Sequence, residues 1–420
     1  MNGNVAQGLC LPKPEAGPPT LRSHMVRCTD SSSHDKAELL VQICPCYVDL
    51  DRETGGVANI VRKICLHASD MGRKILLLCG NRELGQVRAR AGTRALNERL
   101  TVEVFQQGPH PMMGPTRQLS ERLASFDQRC VVHVHTCFSA FTERAMEVLT
   151  KKQVPFIFTP HGKLGANMMA HHYWPKQLWW MLRARSSIQK ASAIGLSSSR
   201  EATQLRALGL TPSYRIVPNG YEPPSVNGAS PVHPDVPRPF ILFLGYLDPR
   251  KQPEFLVDVY AQSRARLSHY LVFVGPDSYS HQTVIGSRVR HHALGDRVIF
   301  YGATHGRDKW DLLKEAACLC LPSKGEGLPV VLSEALGAGL PSIFSEASNF
   351  PEIADVGAGI MLEGFETAQW AEAIDRVCLD RRTSERMRKA AEGMRPSYAW
   401  PAIVKRWCDV YDDVYAKQNH

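Results

Sequence analysis

Two carboxylates, Glu326 and Glu334, stand eight positions apart in Ser323-Lys324-Gly325-Glu326-Gly327-Leu328-Pro329-Val330-Val331-Leu332-Ser333-Glu334. Ionised carboxylates accept hydrogen bonds, and the hydroxyls of a sugar or a ribose would supply them. Glycines on both sides of Glu326 let backbone approach a ligand closely, and a helix starting just after would offer unpaired N–H groups to an anion. The plainer reading is a capping acid followed by a solvated helical glutamate. Other residues could share a site with this pair. Thr159-Pro160-His161-Gly162-Lys163 holds a histidine able to hydrogen-bond a sugar hydroxyl or stabilise charge at a reacting carbon. Leu244-Gly245-Tyr246-Leu247-Asp248-Pro249-Arg250-Lys251 brings two adjacent cations, Arg250 and Lys251, after an apolar run. Gly55-Gly56 offers a second close backbone approach, with an ordinary tight turn as its plainer reading. Asp49 and Asp51 suggest a metal, but no third ligand lies near in sequence, and a solvated loop is the simpler account.

Each of these residues needs an element to hold it. The apolar run 317–321 reads as a buried parallel strand in front of Glu326. Pro329 suits the first turn of the next helix and Gly339 its end. Similar runs at 39–44, 74–79, 101–105, 131–134, 156–159 and 193–196 predict strands of a first sheet, and those at 240–244, 271–274, 298–301 and 342–344 predict a second. Helical stretches separate many of them, so each sheet should be parallel and covered on both faces. His161 then sits at a strand's C-terminal end, where ligands of open α/β sheets gather. The loops Gly275-Pro276-Asp277 and Gly302-Ala303-Thr304 occupy equivalent ends and suit a nucleotide base. His133 and His135 alternate on one strand, one read as facing the core and the other the cleft rim, with no role assigned.

At 420 residues two domains are expected. Residues 1–36 lack periodicity and read as a disordered tail, 37–222 as a first domain, 223–239 as a Pro-rich linker and 240–398 as a second domain. Residues 399–418 form an amphipathic stretch, with Ile403, Trp407, Val410, Tyr411 and Val414 on one side. No stretch has eighteen consecutive apolar residues, and no basic flank leads an apolar N-terminal run, so a cytoplasmic protein is expected. Twelve scattered cysteines read as free buried thiols, and Cys44-Pro45-Cys46 lacks zinc or redox spacing. The formal net charge of +9 favours anionic partners: nucleotide phosphates, lipid phosphates or an anionic membrane face. Nucleic acid is not expected, because no basic block with interleaved aromatics of that kind stands out. The segment from His171 to Arg185 does mix Trp, Tyr, Lys and Arg, which suits peripheral contact with anionic lipid or a helix packed on the first domain.

The Glu326–Glu334 stretch resembles the E-x7-E signature of family 4 of the retaining glycosyltransferases (glycosyl transferases group 1), in the variant reading E-G-L-P. Pro341-Ser342-Ile343-Phe344-Ser345 and Asn349-Phe350-Pro351-Glu352-Ile353 resemble the strand and acidic turn that follow it. The His161-Gly162 pair and the Gly55-Gly56 pair match the family as well, and the resemblance runs from about Leu40 to the C-terminus. It implies an α/β protein of GT-B architecture, two Rossmann-like domains facing a cleft, with the C-terminal helix crossing back to the first. It implies transfer of a hexose-type sugar from a nucleotide diphosphate sugar to a glycan or lipid-linked acceptor, without metal or cofactor. Glu326, His161 and Lys251 would be catalytic. Glu334, Arg250, Gly327, Leu328, Gly55, Gly56 and Tyr246 would bind the donor. The family usually has Arg where Tyr246 stands, with Arg250 the candidate to compensate. That departure keeps one rival open, a non-catalytic nucleotide-sugar-binding scaffold; a second rival keeps the fold but is a nucleotide-sugar epimerase.

Overall fold

The computed structural model describes residues 36–53, 56–83, 86–108, 116–164, 180, 184–210, 213–224, 236–277 and 280–418. Two sheets divide the chain as the strand runs require. The first half contains β1 (Leu39–Cys44), β2 (Ile75–Gly80), β3 (Arg82–Glu83), β4 (Gln86–Val87), β5 (Gly92–Ala95), β6 (Leu100–Phe105), β7 (Cys130–His135), β8 (Phe156–Thr159), β9 (Ala193–Leu196) and β10 (Tyr214–Ile216). Apart from the separate β3–β4 pair, these form one sheet in the order β10-β9-β8-β7-β1-β2-β6-β5. All its pairs are parallel except β5–β6. The second half contains β11 (Phe240–Leu244), β12 (Tyr270–Val274), β13 (Val298–Gly302), β14 (Cys318–Leu321), β15 (Ser342–Ser345) and β16 (Gly359–Leu362). They form a parallel sheet in the order β13-β12-β11-β14-β15-β16.

Central strands are buried because helices cover both faces: every residue of β2, β7, β11 and β14 is buried, and only β7 among them carries histidines, His133 and His135. The strands not expected from the sequence include exposed or half-exposed edges, although β16 does carry the apolar run Ile360-Met361-Leu362. β5, with the residues Gly-Thr-Arg-Ala, is wholly exposed and antiparallel, while β10 and β16 are partly exposed.

The C-terminal helix, Trp400–Ala416, packs on the first lobe as expected. Trp400, Ile403, Val404, Trp407, Val410, Tyr411 and Val414 share a core with Leu40 of β1 and with Val61 and Ile64 of the helix Gly56–Asp70. Each large apolar side chain buried in this way contributes about 1.5–3 kcal/mol. The two chain crossings between the lobes lie side by side: the Tyr221 N–H donates to Tyr398 O at 3.0 Å, and the Trp400 N–H donates to Tyr221 O at 3.0 Å. Of the residues read as tail and linker, 1–35 and 225–235 lie outside the described residues.

Candidate functional site

In an open parallel sheet the loops diverge where the strand order reverses, and a crevice opens there. In the second sheet that point lies between β11 and β14, and in the first between β1 and β7. The loop after β11 carries Gly245 to Lys251 and the loop after β14 carries Ser323 to Pro329, so the topology brings two of the motifs together. The Lys324 N–H donates to Arg250 O at 2.7 Å, which ties the two loops by their backbones.

The Glu326 loop is held from behind. The Glu326 N–H donates to Ala347 O at 3.0 Å, and Asn349, in the left-handed region, donates its side-chain N–H to Glu326 O at 2.6 Å. The Glu326 carboxylate accepts from Ser323 Oγ at 3.1 Å and from Lys251 Nζ at 2.5 Å. Lys251 ends a 3₁₀ turn, Pro249–Lys251, that is capped by Asp248. The Arg250 guanidinium is engaged by both oxygens of Asp248, at 2.6 and 3.1 Å. Lys251 and Glu326 therefore form one charged pair, while Arg250 is bound to its own capping acid. Tyr246 is half-buried in the same loop. Pro329 stands one residue earlier than expected, as the extended N-cap of the helix Val330–Ala338, and Gly339 closes that helix with φ +71°.

His161 reaches this loop from the other lobe. His161 and Gly162 turn the chain after β8 with φ values of +51° and +76°. A methyl placed on Gly162 would lie 2.2 Å from Gly327 Cα, and one on Gly327 would lie 2.9 Å from the His161 carbonyl carbon. The His161-Gly162 and Glu326-Gly327 turns thus touch backbone to backbone, which only residues without a Cβ allow. Asn219, also from the first half, donates to Leu328 O at 2.7 Å and accepts Ser333 Oγ on its own carbonyl at 2.9 Å.

His133 and His135 depart from their expected placement. Residues two apart on a strand share a face, and both rings are fully buried with centroids 3.9 Å apart. His135 Nδ1 lies 3.0 Å from His161 Nε2. Burial pushes both His133 and His135 well below the ordinary histidine range, and it lowers His161 to about 3 with help from Lys163. All three rings are neutral near pH 7.

Glu334 sits apart from Glu326, in a chain of charges that joins the lobes. It pairs with Lys309 Nζ at 2.6 Å, and Lys309 lies 3.7 Å from Glu53. Glu53 faces Lys63 at 3.4 Å, and Lys63 is bonded to Glu222, which also faces His67 at 3.4 Å. Burial raises the Glu334 carboxyl above its usual value, with Lys309 opposing. Burial works against the Lys309 charge, but Glu334 and Glu53 outweigh it and raise its pKa. Hydrogen bonds from His67 and Lys63 bring Glu222 down to about 2. A cavity of about 330 Å³ beside this chain is lined by Glu53, Lys63, Glu222, Lys309 and Trp310. Sequence reading missed Lys309, Glu53, Lys63 and Glu222. Lone charges on helices and loops read as solvated, and only the fold brings them together.

Gly56 opens its helix with φ +60° and has no heavy atom within 4 Å of where a Cβ would stand, so it faces open space. Gly55 lies outside the described residues, as do residues 165–179 and 181–183, which include most of the basic aromatic segment. Asp51 is an exposed partner of Arg94 at 2.8 Å, in keeping with a solvated loop. Cys46, dismissed from its spacing, lies near Lys163. A hydrogen bond with the Cys44 thiol lowers its pKa to about 7 against the effect of burial, and Lys163 adds to the lowering.

Residues 54–223 match the family described as Glycosyltransferase Family 4, and residues 231–394 match Glycosyl transferases group 1. The D-inositol 3-phosphate glycosyltransferase of Corynebacterium kroppenstedtii is 24% identical over 197 residues, 45% of this chain. That match spans 43% of the bacterial protein, less than half its length. A phosphatidylinositol N-acetylglucosaminyltransferase subunit of Arabidopsis thaliana is 24% identical over 371 residues, 85% of this chain and 78% of that one. Among solved structures, Anabaena Alr3699/HepE in complex with UDP-glucose superposes with a TM-score of 0.66 at 17% identity, covering 89% of this chain and 99% of that one.

Proposed function

The chain belongs to the group 1 glycosyl transferases and has their two-lobed GT-B fold, and from that premise we propose that it moves a hexose-type sugar from a nucleotide diphosphate to an acceptor hydroxyl, retaining the anomeric configuration and needing no divalent metal. The observation that carries this reading is the backbone contact of Gly162 with Gly327, which sets His161 against the loop of Glu326. Residues from both lobes then converge on one crevice at the strand ends.

In this reading Glu334 accepts the ribose hydroxyls and Glu326 accepts hydroxyls of the donor sugar. Lys251 and the backbone N–H groups of Gly327 and Leu328 stabilise the diphosphate as it leaves. Fixed donors of this kind act without reorganising during the reaction. The bond from the anomeric carbon to the diphosphate oxygen breaks through an oxocarbenium-like transition state, as in other glycosyl chemistry. The acceptor oxygen bonds to the same face, and its proton passes to the departing phosphate, so no carboxylate nucleophile is required. Lys251 balances the Glu326 charge before the donor arrives, and the diphosphate competes with Glu326 for it. UDP-glucose in the Anabaena neighbour supports a sugar nucleotide as donor, and both named relatives support an inositol phosphate or lipid-linked hydroxyl as acceptor. The net charge of +9 supports peripheral contact with an anionic membrane, which salt-sensitive sedimentation with anionic vesicles would test.

The test is donor consumption with and without acceptor, in strong chelator, with product configuration read by NMR. A transferase consumes donor only when acceptor is present, apart from slow hydrolysis, and gives a retained product in chelator. Turnover without acceptor to an epimeric sugar nucleotide would replace this reading with an epimerase, and binding without turnover would replace it with a scaffold. Activity lost in chelator and restored by magnesium would refute metal independence.

A further inference from the structure

A run of hydrogen-bonded side chains leads from His161 to the C-terminal helix and back to Thr159, at the end of the strand β8 that His161 follows. His161 Nε2 lies 3.0 Å from His135 Nδ1, and His135 Nε2 lies 2.8 Å from Gln42 Oε1. Gln42 Nε2 donates to the Tyr411 hydroxyl at 3.1 Å. That hydroxyl lies 2.9 Å from His133 Nδ1, and His133 Nε2 lies 2.8 Å from Thr159 Oγ1. Gln42, His133 and His135 are fully buried, Tyr411 is 1% exposed and Thr159 is 4% exposed.

The donors and acceptors along this run constrain one another. A neutral imidazole has one N–H and one lone pair. The Gln42 oxygen can only accept, so His135 carries its proton on Nε2 and has a lone pair on Nδ1. His161 must then donate from Nε2. At the far end the Tyr411 oxygen accepts from Gln42, so its proton goes to His133 Nδ1, and His133 donates from Nε2 to Thr159. The five hydrogen bonds point the same way.

We propose that Tyr411 is a positioning residue for His161: through Gln42 and His135 it holds the His161 ring in the tautomer protonated on Nε2, leaving the Nδ1 lone pair to accept from a substrate hydroxyl. This rests on the reading that His161 acts on the bound sugar or acceptor. It also gives the C-terminal crossover a task beyond packing, because the helix that buries Trp407 against His133 supplies the hydroxyl on which the run depends. Lys163 is the charged group whose field reaches His161. A cation there favours a neutral ring.

The reversed run, with every proton moved and the Gln42 amide turned over, is the competing state. It would put a lone pair on His133 Nε2 facing Thr159, which would then have to donate. This yields two distinct perturbations. Tyr411→Phe removes both the acceptor for Gln42 and the donor to His133, so it releases the tautomer. Thr159→Val leaves His133 Nε2–H without an acceptor, and a buried orphan N–H is rarer than an under-satisfied acceptor, so it favours the reversed run.

The test is ¹⁵N NMR of histidine-labelled free protein, with the His161 signals assigned by their loss in His161→Asn. In the parent, Nε2 should read as protonated and Nδ1 as a lone pair. In Tyr411→Phe the two nitrogens should move toward a common averaged position, and in Thr159→Val they should exchange character. The proposal is overturned by a parent His161 protonated on Nδ1, or by unchanged His161 signals in both variants once each is shown to fold by its unfolding transition. Because the readout needs no donor, its failure leaves the transferase reading standing, and a failure of transfer leaves the tautomer result standing.

Discussion

Replacing Gly162 by alanine tests the contact on which the site is built. Two costs can be separated. Gly162 has φ +76°, where an L-residue carries a penalty of about 1–2 kcal/mol. The added methyl would also lie 2.2 Å from Gly327 Cα, 2.4 Å from Gly327 N and 3.0 Å from the Glu326 carbonyl carbon. All three atoms are backbone and cannot swing aside, so the loops must separate, at an overpacking cost of about 1–3 kcal/mol. Gly72 supplies the control: its φ is +85°, yet no heavy atom lies within 4 Å of a built Cβ. Gly72→Ala therefore pays only the first cost. Unfolding curves in denaturant should place Gly162→Ala below Gly72→Ala by about 1–3 kcal/mol. Function should suffer more than stability, since a displacement of about 1 Å between reacting groups can cost on the order of a hundredfold in rate. If the two variants have equal stability and Gly162→Ala keeps parental turnover, the two turns do not meet as described, and the crevice must be rebuilt.

Lys251→Ala should remove about 2–4 kcal/mol of transition-state stabilisation and leave Glu326 without its 2.5 Å partner. Arg250→Ala should cost less, because Asp248 holds that guanidinium, and Tyr246→Phe about 1 kcal/mol or less; equal kinetic losses for Lys251→Ala and Arg250→Ala would put the compensating cation at Arg250. Acid should destabilise the fold early. The folded pKa values of His133, His135 and His161 are depressed, so on acidification the unfolded chain takes up protons first. Their contribution is intact above about pH 6.5 and declines as pH falls below it, by up to about 4 kcal/mol per pH unit for three sites. The carboxylate Glu222, held at about 2, adds its own loss at lower pH, as it is protonated below the ordinary carboxylate range. Denaturant midpoints flat from pH 7 to 5 would contradict buried neutral histidines. Cys46 should alkylate faster than Cys44, Cys65 or Cys79, with a midpoint near pH 7, as read by peptide mass mapping; burial lifts the Cys65 and Cys79 thiols, and the hydrogen bond with Cys46 lifts Cys44. Comparable rates at all four would show that Cys44 and Lys163 do not activate it.

The buried central strands and the Glu326 and Glu334 stretch were legible because their signals are local. A short apolar run bounded by turn residues and rich in β-branched or aromatic side chains signals a buried strand, and the glycines flanking Glu326 signal a close backbone approach. β5 was invisible for the complementary reason: its four exposed residues have no apolar pattern, and only pairing with β6 makes them a strand. The lysine partners divided in the same way. Lys251 could be placed by the family resemblance, five residues after Tyr246 along one loop. Lys309 could not be linked to Glu334, because the two lie on different helices and the pairing exists only once β13 and β14 are in place. The histidine run was hidden further still. Gln42, His133, Thr159 and Tyr411 come from four separate elements, and a polar residue inside an apolar strand gives no hint of its partner. The mistaken opposite placement of His133 and His135 came from the period itself, since two residues apart on a strand means one face.

The claim that a nucleoside diphosphate sits against Glu334 in the crevice between the lobes is tested most directly by calorimetric titration of UDP, GDP and ADP into the parent protein and Glu334→Gln. One of the three should bind the parent at a single site per chain. The variant should bind it about 10- to 150-fold more weakly, the worth of a hydrogen bond to a charged group, about 1.5–3 kcal/mol. No binding of any nucleotide to the parent, or equal affinity for parent and variant, would contradict the account.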